Sequence, residues 1–201
     1  MPRRRKGRLV DGVLLVDKPA GETSNRTLQR VRARFQARKA GHTGTLDPFA
    51  TGLLPLCFGE ATKFGTGLLD ADKSYIASAS WGTRTDTGDL DGEVVERTDL
   101  PMPTRETLAA TLAARFSGTI EQVPPMYSAL KHDGQRLHEI ARAGGEVTRE
   151  PRQVRIVDAA IIGAEEGQFS LAVTCSKGTY IRVLVEDLAK ACGGLAHCIA
   201  L

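Results

Sequence analysis

KSYIASASWGTRTDTGDLDGEVVER, residues 73–97, decides the fold class. Residues 73–81 read as a strand, and the eight residues 85–92, with three aspartates and two glycines, have the composition of a turn. Residues 93–97 read as the returning strand. Strand thus follows strand with no room for a helix between them, which a doubly wound parallel sheet does not allow and an antiparallel one favours. The aspartates also raise the question of a calcium loop. Placing Asp91-Gly92 at the fifth and sixth positions puts Thr87 first and Thr98 last, where carboxylates are required, so calcium is not expected.

Working outward, residues 9–17 form a short apolar run ending at Lys18-Pro19 and read as a strand. Residues 24–39 carry Leu28, Val31 and Phe35 at helical spacing behind Ser24, a candidate N-cap. A strand is expected at 53–58, and a helix at 104–116 with Leu108, Leu112 and Phe116 on one face. Phe169, Leu171, Val173 and Cys175 alternate as a half-buried strand does. Ile181, Leu184, Val185 and Leu188 mark a helix beginning near Thr179 and stopping at Gly193-Gly194. The sum is an α+β domain on a mixed, largely antiparallel sheet flanked by helices and loops.

Composition bounds the rest. A chain of 201 residues, 41% hydrophobic and 25% charged, is an ordinary globular one. No apolar run approaches the roughly 20 residues that span a bilayer, and the N-terminus has no apolar signal-peptide core, so a cytoplasmic location away from membranes is expected. Cys57, Cys175, Cys192 and Cys198 form no CxxC pair and sit among apolar neighbours, and His132 and His138 lack zinc-ligand spacing. Neither a disulfide framework nor a metal site is expected.

The net charge of +3 is small, but it is unevenly distributed. Arg3, Arg4, Arg5, Lys6 and Arg8 make a basic arm, and Arg26, Arg30, Arg32, Arg34, Arg38 and Lys39 crowd the first helix without an acid among them. Arm and helix together point to nucleic-acid phosphates, with Arg30, Arg34 and Arg38 as the expected contacts, against the alternative of a solvated basic face. Residues 122–152 are a second excursion. Two prolines open the segment, Gly144-Gly145 lie near its end, and a short helix is expected at 136–143 among Lys131, His132, Arg136, His138 and Arg142. Long polar segments inside a compact domain are more often functional loops than neutral ones.

GHTGTLDPFATGLLP, residues 41–55, contains one carboxylate, Asp47, among glycines, prolines and threonines. It is no P-loop, for no lysine precedes a final Ser/Thr, and no dinucleotide loop, for its glycines follow a helix. Asp47-Pro48 by itself fits a turn or helix cap.

These residues carry a resemblance. Gly41 through Pro48, with Ala50-Thr51-Gly52 and Leu54-Pro55, is similar to the catalytic motif of the TruB family, the tRNA pseudouridine-55 synthases. So are Asp17-Lys18-Pro19, Asp72-Lys73-Ser74-Tyr75 with Arg84 through Thr87, Met126 through Lys131, and Cys175 through Arg182, all in the family's order. The resemblance implies the pseudouridine synthase fold for 1–201, with 122–152 as a thumb-like insertion that contacts RNA through residues such as Lys131. It implies further chain beyond Leu201 in similar proteins, including a small RNA-binding PUA domain. It also implies Asp47 as the catalytic group, Tyr75 packing on the target base, and Arg182 pairing with the aspartate. His42 would fill the space the flipped base leaves, Leu201 would line the uracil pocket, and Lys18 with Pro19 would support it.

The implied reaction converts uridine to pseudouridine in the T-arm stem-loop of tRNA by breaking and re-forming a glycosidic bond. That rearrangement involves no net oxidation, hydrolysis or group transfer, so no cofactor and no metal are expected, and the partner is tRNA bound by a monomer. Two alternatives remain open at this stage. One is a non-catalytic RNA-binding or tRNA-folding module on the same fold; the other is a hydrolase that uses Asp47 to release free uracil.

Overall fold

The structure, a computed structural model, describes residues 7–201; Arg3, Arg4, Arg5 and Lys6 of the basic arm lie outside the described residues. The chain divides into two units, Met1–Ala71 and Asp72–Leu201.

In the first unit, strand β1 (Gly12–Lys18) begins three residues later than the apolar run that predicts it. Helix α1 (Ser24–Phe35) follows, then β2 (Ala40–His42) and β3 (Gly52–Phe58). The three strands form an antiparallel sheet in the order β1-β3-β2, with Leu14 opposite Leu56 and Val16 opposite Leu54. α1 lays Leu28 and Val31 against Leu54, Leu56 and Phe58, and the Phe35 and Phe58 rings meet at 5.6 Å. Burying each of the larger apolar side chains is worth about 1.5–3 kcal/mol.

Two expectations for this helix are corrected. Its N-cap is Thr23, whose hydroxyl accepts from the Arg26 amide at 3.1 Å, because Ser24 is turned inward and 1% exposed. Its end is Phe35 rather than residue 39: Gln36 takes a left-handed conformation at φ 50° and returns its amide to the last turn, which closes the helix. A 3-10 turn (Gly59–Lys63) and a short helix, α2 (Gly65–Asp70), complete the unit.

The second unit is built on β4 (Lys73–Trp81), as expected. The turn after it joins β5 (Thr83–Thr85) to β6 (Val94–Arg97) as an antiparallel pair. Helix α3 (Arg105–Arg115) is capped by the Thr104 hydroxyl, and β7 (Gly118–Gln122) follows it. Residues 122–152 then contain a two-residue hairpin, β8 (Lys131–His132) and β9 (Gln135–Arg136), and helix α4 (Leu137–Arg142). Strand β10 (Arg152–Glu165), β11 (Gln168–Cys175), helix α5 (Ile181–Ala191) and β12 (Ala196–Ala200) close the chain. The sheet order is β12-β4-β11-β10-β7, every pairing antiparallel.

On one face of this sheet Ala77, Ala79, Leu171 and Val173 are buried, and Leu108 and Leu112 of α3 and Leu184, Val185 and Leu188 of α5 are buried as well. α5 is strongly amphipathic. Its apolar stripe is buried while Glu186, Asp187 and Lys190 occupy the opposite side, so the helix can offer polar side chains to a site without leaving the core. β10 and β12 were not expected from sequence.

Candidate active site

Asp47 lies between β2 and β3, half-buried, at the head of a tight turn: the Ala50 amide donates to the Asp47 carbonyl at 3.1 Å, with Pro48 at the second position. The turn expected for Asp47-Pro48 is therefore present, and it is held from three sides. Ser24 Oγ accepts from the Leu46 amide at 2.9 Å and donates to the Leu46 carbonyl at 3.2 Å, which is why this serine faces inward instead of capping α1. Phe49 and Ala50 are buried. Gly52, at φ 114°, lets the backbone turn into β3 where a side chain would be strained.

The third hold is Lys18. The last residue of β1 is fully buried, and its ammonium donates to the carbonyls of Pro19 (2.8 Å), Glu22 (2.7 Å) and Pro48 (3.1 Å). All three of its donors are thus used, one of them on the residue next to Asp47. Burial pulls its pKa below the ordinary lysine value, and the carboxylates of Glu22 and Asp47 oppose that by favouring the charged form. Pro19, exposed, contributes only its carbonyl to the clamp.

His42 ends β2 opposite Leu56, and its Nδ1 is buried with no hydrogen-bond partner among the described residues. On α1, Arg30 is ion-paired with Glu22 and Arg34 is exposed, as is Arg38 beyond the end of the helix. The acid that pairs with Arg30 lies just before the helix, outside the stretch that reads as free of acids.

In the second unit, Tyr75 of β4 stands opposite Val173, half-buried. Arg182 is the second residue of α5 and 3% exposed. Its Nη1 lies 3.3 Å from Asp89 Oδ2 and donates to the Thr87 carbonyl, and its Nη2 donates to the Tyr127 carbonyl at 2.9 Å. Asp89, itself buried, accepts the Thr87 hydroxyl at 2.6 Å and the Asp91 amide at 3.1 Å on its other oxygen. Gly88, at φ 73°, sits where a β-carbon would come within 3.0 Å of a Glu186 carboxylate oxygen.

The Tyr127 hydroxyl donates to Asp86 Oδ2 at 3.0 Å, and burial together with that carboxylate raises the phenol's pKa. Burial also raises Glu186, against the opposing pull of Lys190, Arg84 and Arg182. A cleft of about 490 Å³ runs along the polar side of α5, lined among others by Asp86, Met126, Arg149, Arg182 and Glu186.

The sequence names Arg182, but it shows Asp89 only as part of a turn, Tyr127 only as part of a motif block and Gln122 only as the start of a segment, and it does not mark Glu186. Lys131 is exposed on the β8–β9 hairpin, and Leu201 follows β12, partly buried. Cys57, Cys175 and Cys198 are buried thiols, and burial raises the pKa of the first two. Among the described residues no group of three metal-ligating side chains is gathered, and no helix is long and apolar enough to cross a membrane.

Residues 32–181 match the TruB family pseudouridylate synthase, N terminal domain. The chain is 55% identical over all 201 residues to a protein of Chromohalobacter salexigens named tRNA pseudouridine synthase B, and 57% identical over the same length to one of that name from an Azoarcus species. It spans 65% and 66% of those two proteins. In the crystal structure of a Cbf5-Nop10-Gar1 complex, one chain superposes with a TM-score of 0.71 at 28% identity, covering 94% of this chain and 46% of that one. A likeness that takes in both the Asp47 turn and the strand–turn–strand leading to Arg182 places this chain in the TruB family of pseudouridylate synthases.

Proposed function

We propose that residues 1–201 form the catalytic domain of an enzyme that isomerises uridine to pseudouridine at position 55, in the T-arm loop of tRNA. The observation that supports this best is the setting of Asp47. It is the one carboxylate in 41–55, locked by Lys18 and Ser24, in a chain more than half identical over its whole length to proteins named tRNA pseudouridine synthase B.

The chemistry asks for an ionised group at the glycosidic bond, held without freedom to turn away, and a turn fastened at its backbone meets that demand. Asp47 is proposed for that role, with Tyr75 against the target base and Arg182 as the arginine of the same reaction. The target base must leave its stack at a cost of a few kcal/mol, and His42, whose buried ring nitrogen has no partner among the described residues, is proposed to occupy the vacated space. Leu201 is proposed to line the uracil pocket and Lys18-Pro19 to support it. Residues 122–152, with Lys131, and the exposed cations Arg34 and Arg38, with Arg30 in a lesser part, are proposed to track the RNA backbone. The rearrangement is balanced without an oxidant or a group donor, so the reading calls for no cofactor and no metal, and for a monomeric protein acting on tRNA in the cytoplasm.

The test is to incubate the protein with an unmodified T-arm stem-loop and analyse the nucleosides. Pseudouridine at the position equivalent to 55, absent with Asp47→Asn, is the expected result. Release of free uracil would make the protein a hydrolase, and tight binding without product would make it an RNA-binding module.

A further inference from the structure

Helix α5 begins without a side-chain cap of its own: Tyr180, the residue before Ile181, makes no side-chain hydrogen bond to the first turn. A side chain from elsewhere attends to that end instead. Gln122, the last residue of β7 and only 3% exposed, accepts the Tyr180 amide on Oε1 at 3.0 Å and donates from Nε2 to the Tyr180 carbonyl at 3.3 Å. That carbonyl also accepts the first intrahelical bond, from Leu184 at 3.1 Å. The planar amide of one glutamine thus holds both polar groups of one peptide residue, a geometry that fixes orientation as well as distance.

Five residues after Gln122, the Tyr127 carbonyl accepts from Arg182 Nη2. Between the two contacts runs Val123-Pro124-Pro125-Met126, whose prolines lock φ and cannot fold into a helix. Residues 122–127 are therefore a stiff strut with both ends on the start of α5, a side chain on backbone at one end and a backbone on side chain at the other. The strut is also the root of the 122–152 segment.

We propose that Gln122 is a positioning residue for Arg182, setting the first turn of α5 so that the guanidinium reaches Asp89, Thr87 and Tyr127 together. Its use in catalysis rests on the reading of this chain as a pseudouridine synthase. Gln122 does not touch the reacting atoms. It acts through Ile181, the one residue between Tyr180 and Arg182, so its removal tilts the arginine without removing it. A misplacement of about 1 Å at a catalytic group costs on the order of a hundredfold in rate.

The test is a double-mutant cycle read in single turnover at saturating T-arm stem-loop, with hydrogen exchange as a second readout. Gln122→Met keeps the length and removes both hydrogen bonds; Gln122→Asn keeps the amide but shortens its reach, and serves should the first variant fold poorly. Either is expected to lower the rate about 10- to 100-fold in the parent while changing stem-loop affinity less than about threefold. In an Arg182→Lys background the same change is expected to cost less than about threefold, because the effect passes through the arginine. Equal losses in both backgrounds would overturn the assignment. Amide exchange of Tyr180 should quicken in the variants by at least about tenfold while Leu184 and later amides hold, and unchanged protection at Tyr180 would refute the clamp even if no pseudouridine forms. Absence of product from the unaltered protein, by contrast, would defeat the functional reading and leave the exchange result to judge the clamp.

Discussion

Two buried cations, Lys18 in the first unit and Arg182 in the second, do opposite jobs with the same charge. Lys18 spends its three donors on three carbonyls within residues 19–48, all of them neutral acceptors. Arg182 spans a carboxylate and two carbonyls from two separate stretches, 87–89 and 127. An ammonium is a point donor and can gather carbonyls from any direction; a guanidinium is a flat fork whose partners must lie near one plane. The lysine therefore shapes a loop, and the arginine registers one segment against another. Their electrostatics differ accordingly. Burial dominates at Lys18 and lowers its pKa, so part of its desolvation cost remains unoffset, whereas Arg182 faces a buried carboxylate that is itself hydrogen-bonded twice.

The largest effect expected is on chemistry in the loop that Lys18 shapes. Asp47→Asn keeps the shape and removes the charge, and single-turnover rates should fall at least about a thousandfold, roughly 4 kcal/mol in the barrier, with stem-loop affinity nearly unchanged. Multiple turnover by the purified variant would detach the loop from catalysis. Next is the clamp itself. Lys18→Met fills the same volume but leaves three carbonyls without their donor, and denaturant titration should show a loss of about 3 kcal/mol in stability. A loss below about 1 kcal/mol would mean that the loop holds its shape without the lysine, and the comparison with Arg182 would fail on that side.

Arg182→Lys tests the other side. A lysine cannot reproduce the fork, so turnover should drop at least about a hundredfold, about 2.7 kcal/mol, while RNA binding persists. A rate within a few fold of the parent would reduce Arg182 to a point charge like Lys18. Outer cations should behave differently from both. Each exposed arginine that meets a phosphate adds about 0.7–0.9 to the slope of log affinity against log salt, so Arg34→Gln and Arg38→Gln should each flatten it by that much. Arg30→Gln should do less, because Glu22 already neutralises Arg30 in the free protein. Equal slopes in the three variants and the parent would return α1 and the residues that follow it to a solvated basic face.

How much of this was legible in the sequence depended on whether a signal was local. The strand at 73–81 and the helix at 104–116 were readable because alternation and helical spacing run through them unbroken. β10 was not. Its pairing with β11 shifts between Ile156 and Asp158 and again between Ile161 and Gly163, so the buried face changes parity twice and no period of two survives over fourteen residues. β12 has a shift of its own between Cys198 and Ala200. In the candidate site, Asp47 stood out as a lone carboxylate among glycines and prolines, and the motif resemblance named Arg182. Asp89, one of three aspartates in a turn, had nothing in its local pattern to separate it from Asp86 or Asp91. Only the fold shows that one of the three points inward at a guanidinium while Asp86 accepts a tyrosine hydroxyl. Ser24 was misread for the same reason: its backbone position suits a cap, but its partner is Leu46, twenty-two residues away.

The smallest effect expected is at Glu186, which turns the comparison around by placing an acid where burial outweighs its cations. Lys190, Arg84 and Arg182 favour its charged form, Asp187 opposes it, and burial, the strongest influence, raises its pKa above the ordinary 4.5. A raised carboxyl pKa means that the folded protein holds a proton that the unfolded chain has released, over the interval from 4.5 up to the folded value. Within that interval the contribution of Glu186 to stability declines as pH rises, and above it the full cost of the buried charge is in place. Glu186→Gln has no charge to bury. The variant should match the parent near pH 4 and exceed it at pH 8 by at most about 1 kcal/mol, a rise of about 2–4 °C in melting temperature for a chain of this size. A variant less stable than the parent at pH 8 would show the three cations outweighing desolvation, and Glu186 would then belong with Asp89 as a working partner of Arg182 rather than a charge tolerated beside it.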